Sequence, residues 1–430
     1  MERIAYGSLQ LLVEGLERLR RETRRGSESC FTFAPMKEPG LTRAQIGIMA
    51  VAAGVCVANI YYNQPILHEI AATFGSSESE AGLISVLSQA GYGLGLFFIT
   101  PLGDKTNRKT LILVLQGMLV LALLGLTIMN SLAGVYAASL AIGLSSVAAQ
   151  VILPMAASLD KQNRGRTVGI IFTGILIGIL AARVFSGYIT EWFGWRYVYG
   201  ISAGMVFCTA LMVQLSLPNV PPAFGGNYAA LLQSTIAQAK RFALLRRTAL
   251  LGALIFGAFC SFWTTLTFYL SGPPFHFRAD TIGLFGILAI GGALLAPVFG
   301  KLADKGSPAL SQVLTVCLLL AGILLITFFP SNIISFVLAV LLLDVGVQAT
   351  QVTNIATIYT LDEAAHSRIN TVYMTTYFIG GALGTFAGVQ CWRLGGWTVV
   401  CWQLLIWSLL ALMVAYLGYR RKTMVKEVVN

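Results

Sequence analysis

The chain has 430 residues, 56% hydrophobic and only 11% charged, with a mean hydropathy of +0.76. Soluble domains are about a quarter charged, so a chain this long and this poor in charge excludes a water-soluble fold. Its net charge of +11 does not read as nucleic-acid binding, because the basic residues sit in short stretches between apolar runs.

Residues 1–43 form a polar, basic extension with no short apolar core and cleavage site, so no signal peptide is predicted. Within it, residues 9–19 read either as a basic amphipathic helix on the membrane surface or as disorder. Apolar runs long enough to cross a bilayer then recur at 44–66, 81–102, 109–130, 132–158, 166–190 and 196–217. A polar linker, 218–247, precedes six more at 248–271, 280–301, 308–329, 332–357, 368–391 and 396–418. Residues 419–430 are a basic tail. The prediction is an all-α integral membrane protein of twelve spans in two six-helix halves, 44–217 and 248–418.

Orientation follows from the basic residues. All of the 29 Lys and Arg except Arg183, Arg196, Arg278 and Arg393 fall on one side, the side of both termini. The positive-inside rule makes that side cytoplasmic.

The halves repeat at an offset of about 200 residues. Asp104-Lys105 answers Asp304-Lys305, Gln150 answers Gln351, Leu159-Asp160 answers Leu361-Asp362, and Arg166 answers Arg368. A parallel duplication of this kind places a binding site between the halves. Small residues spaced by four (Gly91 and Gly95, Gly174 and Gly178, Gly292, Ala296 and Gly300, Gly380, Gly384 and Gly388) fit close helix packing between or within halves.

Several residues stand out against this apolar background. Asp344, about twelve residues into the tenth span, is the one acidic residue near the middle of a span, where a charge costs roughly 2.5 kcal/mol or more. Gln348 and Gln351 follow on the same helical face, and the three together can bind a solute or a proton. Arg183 is the one mid-span cation. It either snorkels to headgroups or pairs with Asp344. In the first span Asn59, Tyr62 and Asn63 share a face. The Asp104 and Asp304 loops, with Lys105, Arg108, Lys109, Gly300 and Lys305, read as gates: a carboxylate beside a helix end can hold one conformation of the halves.

Other chemistries find no support. His68, His276 and His366 lie at span ends or in loops, without an H-E-x-x-H pattern or a Walker loop, so neither an enzyme nor an ATP-driven pump is expected. The seven cysteines form no C-x-x-C pair, and no metal or cofactor is predicted.

Thr100-Pro101-Leu102-Gly103-Asp104-Lys105-Thr106-Asn107-Arg108-Lys109 resembles the loop signature G-x-x-x-D-(R/K)-x-G-(R/K)-(R/K) of the major facilitator superfamily, and residues 300–306 its degenerate second copy. Asn59-Ile60-Tyr61-Tyr62-Asn63-Gln64-Pro65 and residues 89–95 are similar to a bacterial branch of drug–proton antiporters and acriflavine-resistance proteins. Thr100 and Asn107 replace two signature glycines, and Ile179 stands where the antiporter pattern of span five has proline. The resemblance implies the major facilitator fold, with first and fourth helices of each half lining a central cavity. Asn59, Tyr62 and Asn63 would then stand beside Gln150, Trp263, Thr264 and Gln351. It further implies a monomeric secondary transporter of the bacterial inner membrane, effluxing drug-like or amphipathic solutes by alternating access with protons as partner. Transport of a specific metabolite (a sugar, amino acid or siderophore-like compound) in either direction, or a transporter-like sensor, stays open.

Overall fold

A computed structural model describes residues 41–160, 162–222, 225–288, 307–362 and 365–429, with side chains to residue 420. The predicted gate residues Gly300, Asp304 and Lys305, and residues 9–19, lie outside these. Among the described residues nine helices are long and apolar enough to cross a bilayer; one of them, His366–Arg420, contains two spans. It breaks at Gly395 and Gly396, where Gly396 adopts φ 60°, a left-handed conformation that a side chain would disfavour. Two shorter apolar helices, Arg43–Ala58 and Ala279–Leu288, occupy the first and eighth span positions.

The first span departs from its sequence pattern. Thr42 caps the helix through a capping box with Gln45, but the helix ends at Ala58. The chain then turns through residues 59–63 into a 3-10 segment, Gln64–Ile66, with Pro65 at its start. Proline lacks an N–H and restricts the residue before it, so the α-helix cannot run through here. A short helix, Leu67–Phe74, follows beyond the span. The fourth span is likewise interrupted between Leu132–Ser146 and Ala148–Leu159, and carries Pro154 within its second part.

Span two is Glu78–Phe98, span three Arg108–Ile128, span five Arg164–Phe193 and span six Trp195–Ser216. In the second half, span seven is Ala243–Ser271, span nine Pro308–Phe328 and span ten Ile333–Tyr359. Packing follows the repeat: spans one and five pair in the first half as seven and eleven pair in the second. Glycines set these approaches. A methyl added at Gly178 would meet the carbonyl of Gly54, and one at Gly384 the carbonyl of Gly257. The small residues singled out in spans two, five and eleven therefore pack within halves, while Gly292, Ala296 and Gly300 lie outside the described residues.

A different set of glycines joins the halves. Gly187 of span five lies on Ala279, and Gly283 of span eight on the backbone of Arg183; Gly93 of span two lies on Ile379 of span eleven. Side chains such as Leu121, Ile128 and Leu215, each more than 70% exposed, face outward as a lipid-facing surface. The polar linker contains an amphipathic helix, Tyr228–Arg241, capped by Asn227.

Candidate functional site

The two ends of the bundle differ. At the end opposite the basic loops, hydrogen bonds cross between halves: Thr267 Oγ1 donates to the Gln64 carbonyl (2.7 Å) and Trp392 Nε1 to Glu78 Oε2 (2.8 Å); about midway along span two, Thr385 Oγ1 donates to Gln89 Oε1 (2.9 Å). Arg278 forms an ion pair with Glu191. At the basic end, the linker helix bridges the halves. Tyr228 donates to the carbonyl of Phe98, and Arg241 pairs with Asp362 at 2.9 Å.

Between the halves lies a cavity of about 70 Å³. Its lining includes Gln150, Arg183, Asp344, Gln348 and Gln351. Span ten is one unbroken helix, so Asp344 and the two glutamines do share a face, and the structure brings all three to the cavity. Gln150 and Gln351 hold related positions in the two halves. Gln150 Nε2 donates to Tyr92 Oη (3.1 Å), and Tyr377 Oη donates to Gln351 Oε1 (3.4 Å).

Arg183 does not snorkel. It is 1% exposed, and its Nε donates to Gln64 Oε1 at 2.8 Å. Its guanidinium lies over the Trp263 ring, 4.0 Å from the centroid, with Tyr61 and Phe259 at 5.3 and 5.8 Å. Among the described residues it forms no direct ion pair with Asp344, itself 2% exposed. Among the described residues, neither Arg183 Nη2 nor Asp344 Oδ2, both buried, has a hydrogen-bond partner.

Three predicted cavity residues fall elsewhere. Asn59 donates to the Val55 carbonyl and accepts from Ser202 of span six. Asn63 accepts from Ser85 of span two at 2.5 Å, and Tyr62 packs on Phe185 at a centroid distance of 5.5 Å. None of the three lines the cavity; the helix they were aligned on ends before them, so their spacing no longer sets one face. Trp263 and Thr264 are buried and do not line the cavity, and Trp263 Nε1 and Thr264 Oγ1 have no partner among the described residues. The lining adds Tyr61, Tyr92, Phe256, Phe259, Tyr377 and Phe378, which sequence reasoning missed. Aromatic residues in apolar spans carry no signal separating a lining ring from a packing ring.

At the basic end Arg108 organises the loop. It donates to Asp104 Oδ1 (2.8 Å), the Gly103 carbonyl (3.0 Å), the Pro154 carbonyl (3.0 Å) and Ser158 Oγ (3.1 Å). Lys109 Nζ caps the end of span six through the carbonyls of Gln214 and Leu217. Lys105 is exposed. Asp104 and Arg108 line a second, smaller space shared with Leu231 and Thr235 of the linker helix and Ser367 and Thr371 of span eleven.

Residues 49–385 match the family model described as Major Facilitator Superfamily. The chain is 38% identical over 386 residues to a putative uncharacterized transporter of Escherichia coli (strain K12), YgaY, covering 89% of this chain and 97% of that one. It is 28% identical over 392 residues to a probable transporter of Streptomyces coelicolor, covering 87% and 90%. Among solved structures, a bacterial homolog of the human lysosomal transporter Spinster, in an inward-facing and unoccupied conformation, superposes with TM-score 0.70 at 13% identity, covering 87% and 96%. A point mutant of the nucleoside transporter NupG gives TM-score 0.70 at 14% identity, covering 87% and 98%. At these identities the structural likeness speaks to the fold.

Proposed function

The chain belongs to the major facilitator superfamily and is a membrane transporter, and from that premise we propose that it is a proton-coupled secondary transporter of a small amphipathic organic solute. The observation that carries this reading is the inter-half cavity with one carboxyl, Asp344, and one guanidinium, Arg183, on its lining among aromatic rings. A mid-membrane ionisable group is costly and marks an ion or substrate pathway. Rings and neutral amides suit a solute with an apolar body.

Efflux across a bacterial inner membrane, with the basic end cytoplasmic, is the direction proposed; the distribution of Lys and Arg supports that orientation. The inter-half contacts at the opposite end, Thr267 with Gln64, Trp392 with Glu78 and Arg278 with Glu191, support a state closed to the outside, with Asp104 and Arg108 among the groups that change contacts when the halves rock. The test is solute accumulation in everted membrane vesicles, screened with and without an imposed proton gradient. Accumulation that an uncoupler collapses is the expected result. Flux of every accepted solute unchanged by the uncoupler would overturn proton coupling.

A further inference from the structure

We propose that the cavity takes an aromatic, amino-acid-like zwitterion, its carboxylate held by Arg183 and its ammonium by Asp344; this rests on the cavity being the transport site. Both residues line the cavity, from span five of one half and span ten of the other. Each is almost wholly buried, and each keeps one polar atom without a partner among the described residues, Nη2 on Arg183 and Oδ2 on Asp344. A buried charge is tolerated only when its remaining donors or acceptors are met. Here the two opposite charges have not collapsed onto each other. Gln64 holds Arg183 Nε, and Trp263 lies against the guanidinium face.

What would satisfy both atoms at once is a dipolar molecule. A guanidinium presents paired donors that match a carboxylate, and a carboxylate accepts readily from an ammonium. A solute with only one charge would meet one of the two groups and leave the other buried and unpaired. The remaining lining is uncharged: the amides of Gln150, Gln348 and Gln351, with rings that include Phe256 and Tyr377, stacked at 4.0 Å between centroids. Such walls favour a flat aromatic body between the two charged ends.

The arrangement also supplies the coupling. A proton on Asp344 removes the negative partner of the ammonium, so proton and solute exclude each other from one carboxyl while Arg183 stays charged. Binding of one then releases the other, which is the requirement for exchange.

The test uses the purified full chain in detergent, with affinities read by calorimetry. The probes are L-phenylalanine and L-tryptophan, the amines phenethylamine and tryptamine, and the acids 3-phenylpropanoate and indole-3-propanoate. The zwitterions should bind at least about tenfold more tightly than either single-charge analogue. Arg183→Gln should erase the advantage over the amine, and Asp344→Asn the advantage over the acid, in protein that remains monodisperse. Arg183→Lys should restore part of the first, and wild-type discrimination decides the matter should Arg183→Gln fail to fold. A single-charge analogue binding wild type as well as its zwitterion, no binding by any probe at millimolar concentration, or unchanged discrimination in the variants would overturn the assignment. Proteoliposomes with an internal pH dye separate this from the transport reading. Zwitterion-selective binding without proton movement would overturn coupling and keep the solute class. Proton movement evoked equally by the amines would overturn the class and keep coupling.

Discussion

The indole N–H of Trp392 donates to Glu78 Oε2 at 2.8 Å, tying span eleven to the start of span two at the end of the bundle opposite the basic loops. The other carboxylate oxygen, Oε1, lies 3.0 Å from His68 Nδ1. Glu78 thus serves both halves at once, and any rocking that opens this end must break its bond to Trp392.

Trp392→Phe tests that latch. The substitution keeps an aromatic ring beside Phe268, now 5.7 Å from the Trp392 ring between centroids, and removes only the donor. A hydrogen bond to a charged acceptor contributes about 1.5 kcal/mol or more, so the closed-to-open ratio should fall about tenfold. Spin labels at the exposed positions Ala72 and Ser331, in a background without native cysteines, should report longer separations. An unchanged distance distribution would remove the bond from the list of gate contacts.

The His68 contact carries a pH dependence. The hydrogen bond to Glu78 raises the His68 pKa above its ordinary value, with Glu69 adding to the effect and burial opposing it. A raised pKa means the folded, latched state holds its proton more tightly than the unfolded one. The stabilisation is therefore complete below the ordinary histidine pKa and is lost as pH rises through the raised value. Melting temperature measured from roughly pH 5 to pH 8 should decline across that window in wild type and flatten in His68→Gln. A decline that persists in the variant would assign it to another group.

The sequence made the membrane architecture legible because apolar runs of span length and a repeat at about 200 residues survive any detail of packing. The polar face of span ten was legible for a related reason: Asp344, Gln348 and Gln351 lie in one uninterrupted helix, so the 3.6-residue period holds. The same reasoning misplaced Asn59, Tyr62 and Asn63, since the helix stops at Ala58 and the period stops with it. Tyr61, between them, is the residue that reaches the cavity. The Gln64 partner of Arg183 is 119 positions away, and no local pattern links the two. Nor did composition reveal that the polar linker holds a helix bridging the halves.

Arg108 gives a prediction at the basic end. Its guanidinium meets four acceptors, on its own loop and on the end of span four, and a lysine cannot span that set with a single ammonium. Arg108→Lys should lower the melting temperature and cut transport by about tenfold, each lost bond to a charged donor contributing about 1 kcal/mol or more. Asp104→Asn should reduce transport several-fold while membrane insertion is retained, because the amide keeps the size and loses the charge. Wild-type transport in both variants would leave this loop as a topology signal.

Asp344→Asn is the sharpest test of coupling. The amide preserves shape and hydrogen bonding but cannot gain and lose a proton, and only a group that does both can link proton flux to solute flux. Gradient-driven accumulation in proteoliposomes should be abolished, while exchange of labelled solute down its own gradient stays measurable. Accumulation equal to wild type would make Asp344 structural and move coupling elsewhere. Arg183 supplies the control for charge balance. Both charges are buried, so removing either leaves the other uncompensated, and the loss should exceed the value of the interaction itself. In a double-mutant cycle the pair Asp344→Asn with Arg183→Gln should therefore destabilise less than the sum of the single changes, by about 1 kcal/mol or more. Strict additivity would mean that the two charges act independently, and that the cavity does not sense them as a pair.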